Sequence, residues 1–356
     1  MPERVGEATR ERLSTLTTLR LGGPARELVH AVDERQLLDA VRRADAVPAP
    51  LMVLAGGSNV VVADGGFDGV VVRVETTGVA VEEDTCGGAM VTVAAGEPWD
   101  PFVARAVERG WVGLEALSGI PGSVGATPLQ NVGAYGQEVA DTIASVRCWD
   151  RLDGVQRTYA ATDCGFGYRT SRFKREPDRH VVLSVTFQLR LGTLSAPVRY
   201  AELARRLGVP PGARAPMTDV RRAVLALRAG KGMVLDAADH DTWSAGSFFT
   251  NPVLPPDTAA RLPADAPRWP QPGGSVKTSA AWLIEHAGFG KGFGKRFGTG
   301  RVALSDKHTL ALSNRGGART EDLLALAAEV RRGVQDRYGV RLVPEPVLVG
   351  CSLPGD

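Results

Sequence analysis

The sequence predicts an α+β protein of at least two domains, and three features carry that prediction. In the first half, apolar runs of strand length outnumber segments with helical periodicity. A break rich in proline and glycine, Gly208-Val-Pro-Pro-Gly212, precedes a second set of helices and short strands. The 356 residues also exceed what one hydrophobic core usually organises.

In chain order, the first element is a helix over Glu34–Ala44. Asp33 stands at its N-cap, Gln36 at the capping-box position, and Leu37, Leu38 and Val41 share one face. A strand at Leu51–Ala55, a turn Gly56-Gly57-Ser58-Asn59 and a strand at Val60–Val62 follow. The turn offers successive main-chain N–H groups, a hydroxyl and an amide. That is a phosphate cradle without the helix a Rossmann or P-loop motif requires. Further strands are expected at Val70–Val74, Met90–Ala95, Ser145–Trp149 and Val181–Leu189, with a helix at Pro101–Arg109 closed by Gly110. Beyond the break, Thr218 caps a helix ending near Arg228, and prolines between Pro252 and Pro272 mark an irregular excursion. Helix Ala280–His286, a strand near His308–Ser313 and a helix from Thr320 come next. The last of these carries Leu323, Leu324, Ala327, Val330 and Val334 at helical spacing, and the final strand is Val340–Val349.

Composition narrows the function. Hydrophobic content of 44% and charged content of 23% are those of an ordinary globular protein. A net charge of +2 argues against general nucleic-acid binding. No apolar run approaches the roughly 20 residues of a membrane span, and the start, MPERVGEATRERL, lacks a signal-peptide core. Cys86, Cys148, Cys164 and Cys351 are scattered without a CxxC pair, and the five histidines never stand at ligand spacing. Neither a disulfide framework nor a metal site is expected, and the reading is a cytoplasmic enzyme or binding protein. Of 42 basic residues only six are lysine, and Lys231, Lys291 and Lys295 sit beside glycine. They read either as compact cations against an anionic ligand or as solvated loop tips.

The stretch Gly113–Val139 is the most informative in the chain. Glycine or proline occurs at Gly113, Gly119, Pro121, Gly122, Gly125, Pro128, Gly133 and Gly136, with small apolar residues between and almost no charge. A solvated loop would be more polar, and a regular core element would exclude so much glycine. Buried backbone held close to a flat or phosphorylated cofactor remains.

This stretch and the Gly56–Asn59 turn resemble the UDP-N-acetylenolpyruvoylglucosamine reductase (MurB) family, in the form Ile120-Pro121-Gly122 followed by Gln130-Asn131-Val132-Gly133-Ala134-Tyr135-Gly136. Four further motifs are similar to the family's and stand in its order: Gly165–Lys174, Ala245–Pro252, Ala281–Glu285 and Pro344-Glu345-Pro346. Together they cover nearly the whole chain from Thr15 to Gly350. The QNVGAYG form with Tyr200 resembles the type I subgroup, which carries an extra substrate-closing tyrosine loop.

The resemblance implies an FAD-binding fold of the vanillyl-alcohol-oxidase (PCMH) type over residues 12–200, in two subdomains split near residue 76. It also implies a C-terminal α+β substrate-binding domain over 201–352, whose final strand returns Glu345 to the flavin site. The implied activity is that of a cytoplasmic NADPH-dependent flavoprotein oxidoreductase of peptidoglycan synthesis and cell wall biogenesis. It reduces the enolpyruvyl ether of UDP-N-acetylglucosamine-enolpyruvate to UDP-N-acetylmuramate and so serves cell shape, division and the cell cycle. No histidine or cysteine stands in a flavin-linking context, so the FAD is expected to be noncovalent. A monomer is expected, with no nucleic-acid or membrane partner.

Such a reduction places hydride on the terminal vinyl carbon and builds charge on the neighbouring carbon and its carboxylate. It therefore needs a fixed cation, a proton donor and a polarising group. The resemblance assigns these to Arg169, Ser247 and Glu345. Outside their motifs, Arg169 would read as one surface arginine among many, Ser247 as a cap or edge serine, and Glu345 as an edge-strand carboxylate. By the same resemblance Leu54, Ala55, Gly56, Gly57, Ser58, Asn59, Pro121, Gly122, Gly125, Ala126, Thr127, Gln130 and Gly133 hold FAD. Tyr135, Tyr168, Tyr200, Arg228, Lys231, Asn251 and Lys291 bind the nucleotide sugar, with Tyr135 and Tyr168 lining a cleft shared with nicotinamide. His308 reads as structural. The competing reading is an FAD-dependent sugar or alcohol oxidase of the same superfamily, which would need a base for alcohol deprotonation.

Overall fold

The computed structural model describes residues 11–47, 49–84 and 87–355. Cys86 and the first ten residues lie outside that set. The chain packs into two compact units that are discontinuous in sequence. A central unit comprises Glu27–Gly56 and Gly69–Val234; a terminal unit comprises the chain up to Arg26, Gly57–Asp68 and everything from Leu235.

The central unit is built on an antiparallel sheet in the strand order Val155–Ala160, Ile143–Asp150, His180–Leu191, Gly88–Ala94, Val79–Asp84, with Trp111–Val112 also pairing onto His180–Leu191. Val91, Val93, Val146, Val185 and Phe187 alternate inward from these strands and are buried. Period-two patterning predicts that arrangement. The helix Trp99–Glu108 closes over the sheet, with Trp99 and Phe102 lying 6.2 and 5.3 Å from Phe187, ring centre to ring centre. The first helix runs over Glu34–Ala46, and the Asp33 side chain caps it by accepting from Gln36 N. The return bond goes from Val32 N to Gln36 Oε1, one residue earlier than a standard capping box.

Helices Ala201–Leu207 and Met217–Gly230 complete this unit, with Leu203, Ala204, Val220 and Val224 in a small core beside Ala116. Pro216, not Thr218, is the N-cap of the second helix. The ring fixes the backbone for helix entry one residue before the first turn.

In the terminal unit, the helix Thr320–Tyr338 buries Leu323, Leu324, Ala327, Val330 and Val334, as its spacing predicts. Its first turn is held by Asp64, whose carboxylate accepts from Thr320 N at 2.8 Å and Glu321 N at 3.1 Å. The final strand is much shorter than expected. Only Val347–Val349 forms a strand, parallel to Val60–Val62, while Pro344 makes an isolated antiparallel bridge to Phe249. Pro344 and Pro346 remove the amides that would have extended the ladder. The strand expected near His308–Ser313 is Leu312–Asn314, because the chain turns at His308, whose carbonyl accepts from Ala311 N. The strands Leu51–Leu54 and Val60–Val62 do not pair with each other. The first lies parallel to Val70–Arg73 and the second to Val347–Val349.

Gly113–Val139 is largely buried and almost without regular structure. Buried main-chain groups need partners; main-chain carbonyls take most of the amides, and side chains take those of Gly113, Ala116 and Gly119. Glu115 is fully buried; its carboxylate accepts from Gly113 N (2.7 Å), Gln137 Nε2 (2.9 Å) and Ala196 N (2.6 Å). Gln137 Oε1 in turn accepts from Ala116 N. Asp100 accepts from Gly119 N at 2.6 Å while gripping Arg221 through both oxygens. Burial raises the Asp100 pKa, but Arg221 and the Gly119 amide outweigh it and leave the group below its ordinary value.

Glu115→Ala strands three buried donors and should destabilise the protein by about 3 kcal/mol in urea unfolding followed by far-UV CD. A second expectation concerns Asp150, which is completely buried and bound by Arg179 and Arg157. The hydrogen bonds from Arg179 hold its carboxyl well below the usual range, despite burial. A depressed folded-state pKa makes this stabilisation complete above the unfolded value of about 4, and it is lost as pH falls further. Asp150→Asn should therefore lower stability at neutral pH, and the difference from the unsubstituted protein should shrink in urea titrations taken below about pH 4.

Candidate active site

Each unit carries part of the expected site. In the central unit, Gly56 and Gly122 approach so closely that a Cβ on Gly56 would stand 2.4 Å from Gly122 Cα. Main-chain bonds Trp99 N to Gly122 O, Val124 N to Glu97 O and Gly125 N to Ala95 O anchor the Pro121–Gly125 segment. The glycines are thus demanded first by backbone meeting backbone, and only then by any ligand. Next to them, Ser123 Oγ is buried and has no hydrogen-bond partner among the described residues. An orphaned hydroxyl within a glycine cradle is a donor suited to a phosphate or carbonyl oxygen. The residues present therefore fit a dinucleotide cofactor. Thr127 commits its hydroxyl proton to Val124 O (2.8 Å), which leaves only its lone pairs to other groups.

The arginine motif is joined to the glycine-rich stretch. Gly167 and Thr170 exchange main-chain hydrogen bonds across a tight turn, which sets Arg169 at φ 52°. Arg169 Nη2 donates to Gly133 O at 2.9 Å, and its guanidinium carbon lies 5.6 Å from the Tyr168 ring centre. Asn131, itself at φ 47°, donates to Gly167 O (3.2 Å) and Glu138 Oε2 (2.6 Å) and accepts from Ala140 N. Asn131 and Tyr135 (φ 50°) flank Gly133, so three left-handed non-glycine residues stand together around this junction. Such conformations cost energy and persist only where the surroundings impose them.

Tyr135, Tyr200, Arg228 and Lys231 gather in the same unit. The two tyrosine rings meet edge-on at 5.5 Å, and Lys231 Nζ lies 5.8 Å from the Tyr135 ring centre. Burial raises the Tyr135 pKa against the pull of Lys231 and Arg228. Arg228 is buried, donates to Met233 O at 2.9 Å, and has its pKa lowered by that burial.

In the terminal unit, Ser247 and Glu345 are brought together by three short rungs. Phe248 N donates to Leu310 O (2.7 Å), Glu345 N to Phe248 O (2.8 Å), and Thr250 N to Val343 O (3.1 Å). Phe248 and Phe249 are buried and anchor the segment, which leaves half-buried Ser247 beside the Glu345 main chain. Asn59 braces the same place, donating to Glu345 O and accepting from Val347 N. Asn251 Oδ1 accepts from Ala280 N at the start of helix Ala280–His286. Lys291 is exposed on the loop after that helix.

Glu115, Gln137, Asp100 and Ser123 escaped assignment from sequence. Asn131 stood in a quoted motif without a role, although asparagine's tolerance of left-handed backbone was a usable signal.

Residues 238–349 match the family model for the UDP-N-acetylenolpyruvoylglucosamine reductase C-terminal domain, and residues 25–159 match a model for an FAD binding domain. The UDP-N-acetylenolpyruvoylglucosamine reductase of Cutibacterium acnes is 61% identical over 341 residues, covering 96% of this chain and 90% of its own. This chain belongs to the UDP-N-acetylenolpyruvoylglucosamine reductase family. The Salinispora arenicola reductase is 58% identical, with 96% and 95% covered. The crystal structure of the Thermus caldophilus reductase superposes with a TM-score of 0.63 at 28% identity, covering 96% of this chain and 98% of that one. The fold is accordingly the α+β, vanillyl-alcohol-oxidase-type FAD-binding fold with the reductase family's C-terminal domain.

Gly56→Ala tests the cradle without touching chemistry. Forcing a Cβ between two backbones should cost about 1–3 kcal/mol and lower the flavin-to-protein absorbance ratio after gel filtration, relative to the unsubstituted protein.

Proposed function

We propose that this chain is an NADPH-dependent, FAD-containing reductase that converts the enolpyruvyl ether of UDP-N-acetylglucosamine-enolpyruvate to UDP-N-acetylmuramate. The family match over 96% of the chain carries the reading. The placement of Ser247 beside Glu345, and of Arg169 on a strained turn, supports it. Leu54–Gly56, Pro121–Gly122, Gly125–Thr127, Gln130 and Gly133 would hold the noncovalent FAD, together with Gly57–Asn59. When bound, FAD takes hydride equivalents from NADPH and supplies them to the terminal vinyl carbon.

Arg169 binds the substrate carboxylate, since a guanidinium keeps its charge at every working pH and pairs with carboxylate through two parallel bonds. The carboxylate draws the electron pair displaced from the double bond into an enolate, and the nearby cation lowers the cost of that charge. Ser247 then gives its proton to the carbon bearing the ether oxygen, and Glu345 polarises the enol ether and supports that transfer. Tyr135, Tyr168, Tyr200, Arg228, Lys231, Asn251 and Lys291 position the nucleotide sugar, with the cations on the diphosphate. No helix among the described residues is long and apolar enough to cross a membrane. In this reading the enzyme works in the cytoplasm, as a monomer.

Ser247→Ala should leave reduction of bound flavin by NADPH near normal and slow reoxidation by the enolpyruvyl substrate by about 100-fold or more. Anaerobic stopped-flow absorbance separates the two half-reactions. Reoxidation at the unsubstituted rate would remove the proton-donor assignment, and rapid reoxidation by oxygen alone would favour an oxidase.

A further inference from the structure

Lys231 has a carboxylate partner within its own unit. Its Nζ donates to Glu202 Oε2 at 2.6 Å, with 29% of the lysine side chain and 37% of the glutamate side chain exposed. Burial works against charge on Lys231, but the Glu202 hydrogen bond prevails and leaves its pKa raised. Glu202 lies in the first turn of helix Ala201–Leu207, two residues beyond Tyr200, the helix N-cap. Tyr200 is the residue whose ring meets Tyr135 edge-on, and Tyr135 is the ring nearest which Lys231 Nζ lies. One short segment, 200–202, thus supplies both an aromatic partner for Tyr135 and an anion for Lys231. A carboxylate on an ammonium takes one of its three donors and competes with a phosphate oxygen for its charge.

We propose that Glu202 is an affinity-determining residue: its carboxylate holds Lys231 until a diphosphate displaces it. Binding then exchanges one ion pair for another. The inference rests on reading Lys231 as a diphosphate contact. Glu202 holds the ammonium beside the tyrosine pair, at the cost of part of the affinity an unpaired lysine would give.

The test is calorimetric titration of UDP, with uridine as the uncharged control, into the FAD-loaded enzyme. Glu202→Gln should tighten UDP by about two- to fivefold, the range expected for a partly exposed ion pair, and leave uridine unchanged. Lys231→Met should weaken UDP, and in that background Glu202→Gln should give little or none of its gain. The double-mutant comparison separates displacement of Glu202 from Lys231 from simple repulsion between Glu202 and the ligand. Unchanged or weaker UDP binding by Glu202→Gln, or an equal gain with and without Lys231, would overturn the proposal. Unaltered UDP binding by Lys231→Met would instead remove the role given to Lys231, and this inference with it.

Discussion

The central unit depends on satisfying the backbone of one buried, irregular segment. Gly113–Val139 cannot form a ladder or a helix through most of its length, yet it lies out of water. Each unpaired amide there would cost about as much as a lost hydrogen bond. Main-chain turns meet most of that demand, and Glu115, Gln137 and Asp100 take up the amides of Gly113, Ala116 and Gly119. Glu115 also accepts from Ala196 N, and Asn131 donates to Gly167 O, so side chains of the segment fix its neighbours as well. Regular structure would have supplied the bonds automatically but would have denied the chain the close Gly56–Gly122 approach.

That constraint explains why the strained residues cluster. Asn131, Tyr135 and Arg169 all adopt left-handed backbone where two motifs are tied together. The guanidinium is aimed by a turn that shares hydrogen bonds with the glycine-rich stretch. In the proposed reaction Arg169 would gain from such rigidity, because a fixed charge needs no reorganisation as enolate charge develops. The terminal unit reaches a similar result by another route. Ser247 and Glu345 are held by short rungs anchored on buried Phe248 and Phe249, and Asn59 braces the Glu345 main chain.

The prolines around Glu345 act in two ways. They stop the terminal strand at Val347, and they leave the Glu345 amide as the local donor that pairs with Phe248 O. A continuous strand would have spent that amide in a regular ladder and carried the side chain to a face chosen by alternation. The interruption lets the pairing with the serine segment set its position.

Much of the local architecture could be read from sequence, because it follows from short-range rules. The apolar spacing of Leu323 through Val334 specifies one buried helix face, Asp33 specifies a helix start, and the glycine pattern specifies close backbone approach. The motifs likewise point to Arg169, Ser247 and Glu345. Other features were decided by the tertiary structure alone. These are the separation of the Leu51–Leu54 and Val60–Val62 strands into different sheets, the grip of Glu115 on Ala196, the pairing of Glu202 with Lys231, and the Asp64 clamp on Thr320. The physical reason is the same for each. Periodicity and capping act over a few residues, whereas a buried donor or charge is satisfied by whatever acceptor the folded chain brings to it, and that partner can lie hundreds of positions away.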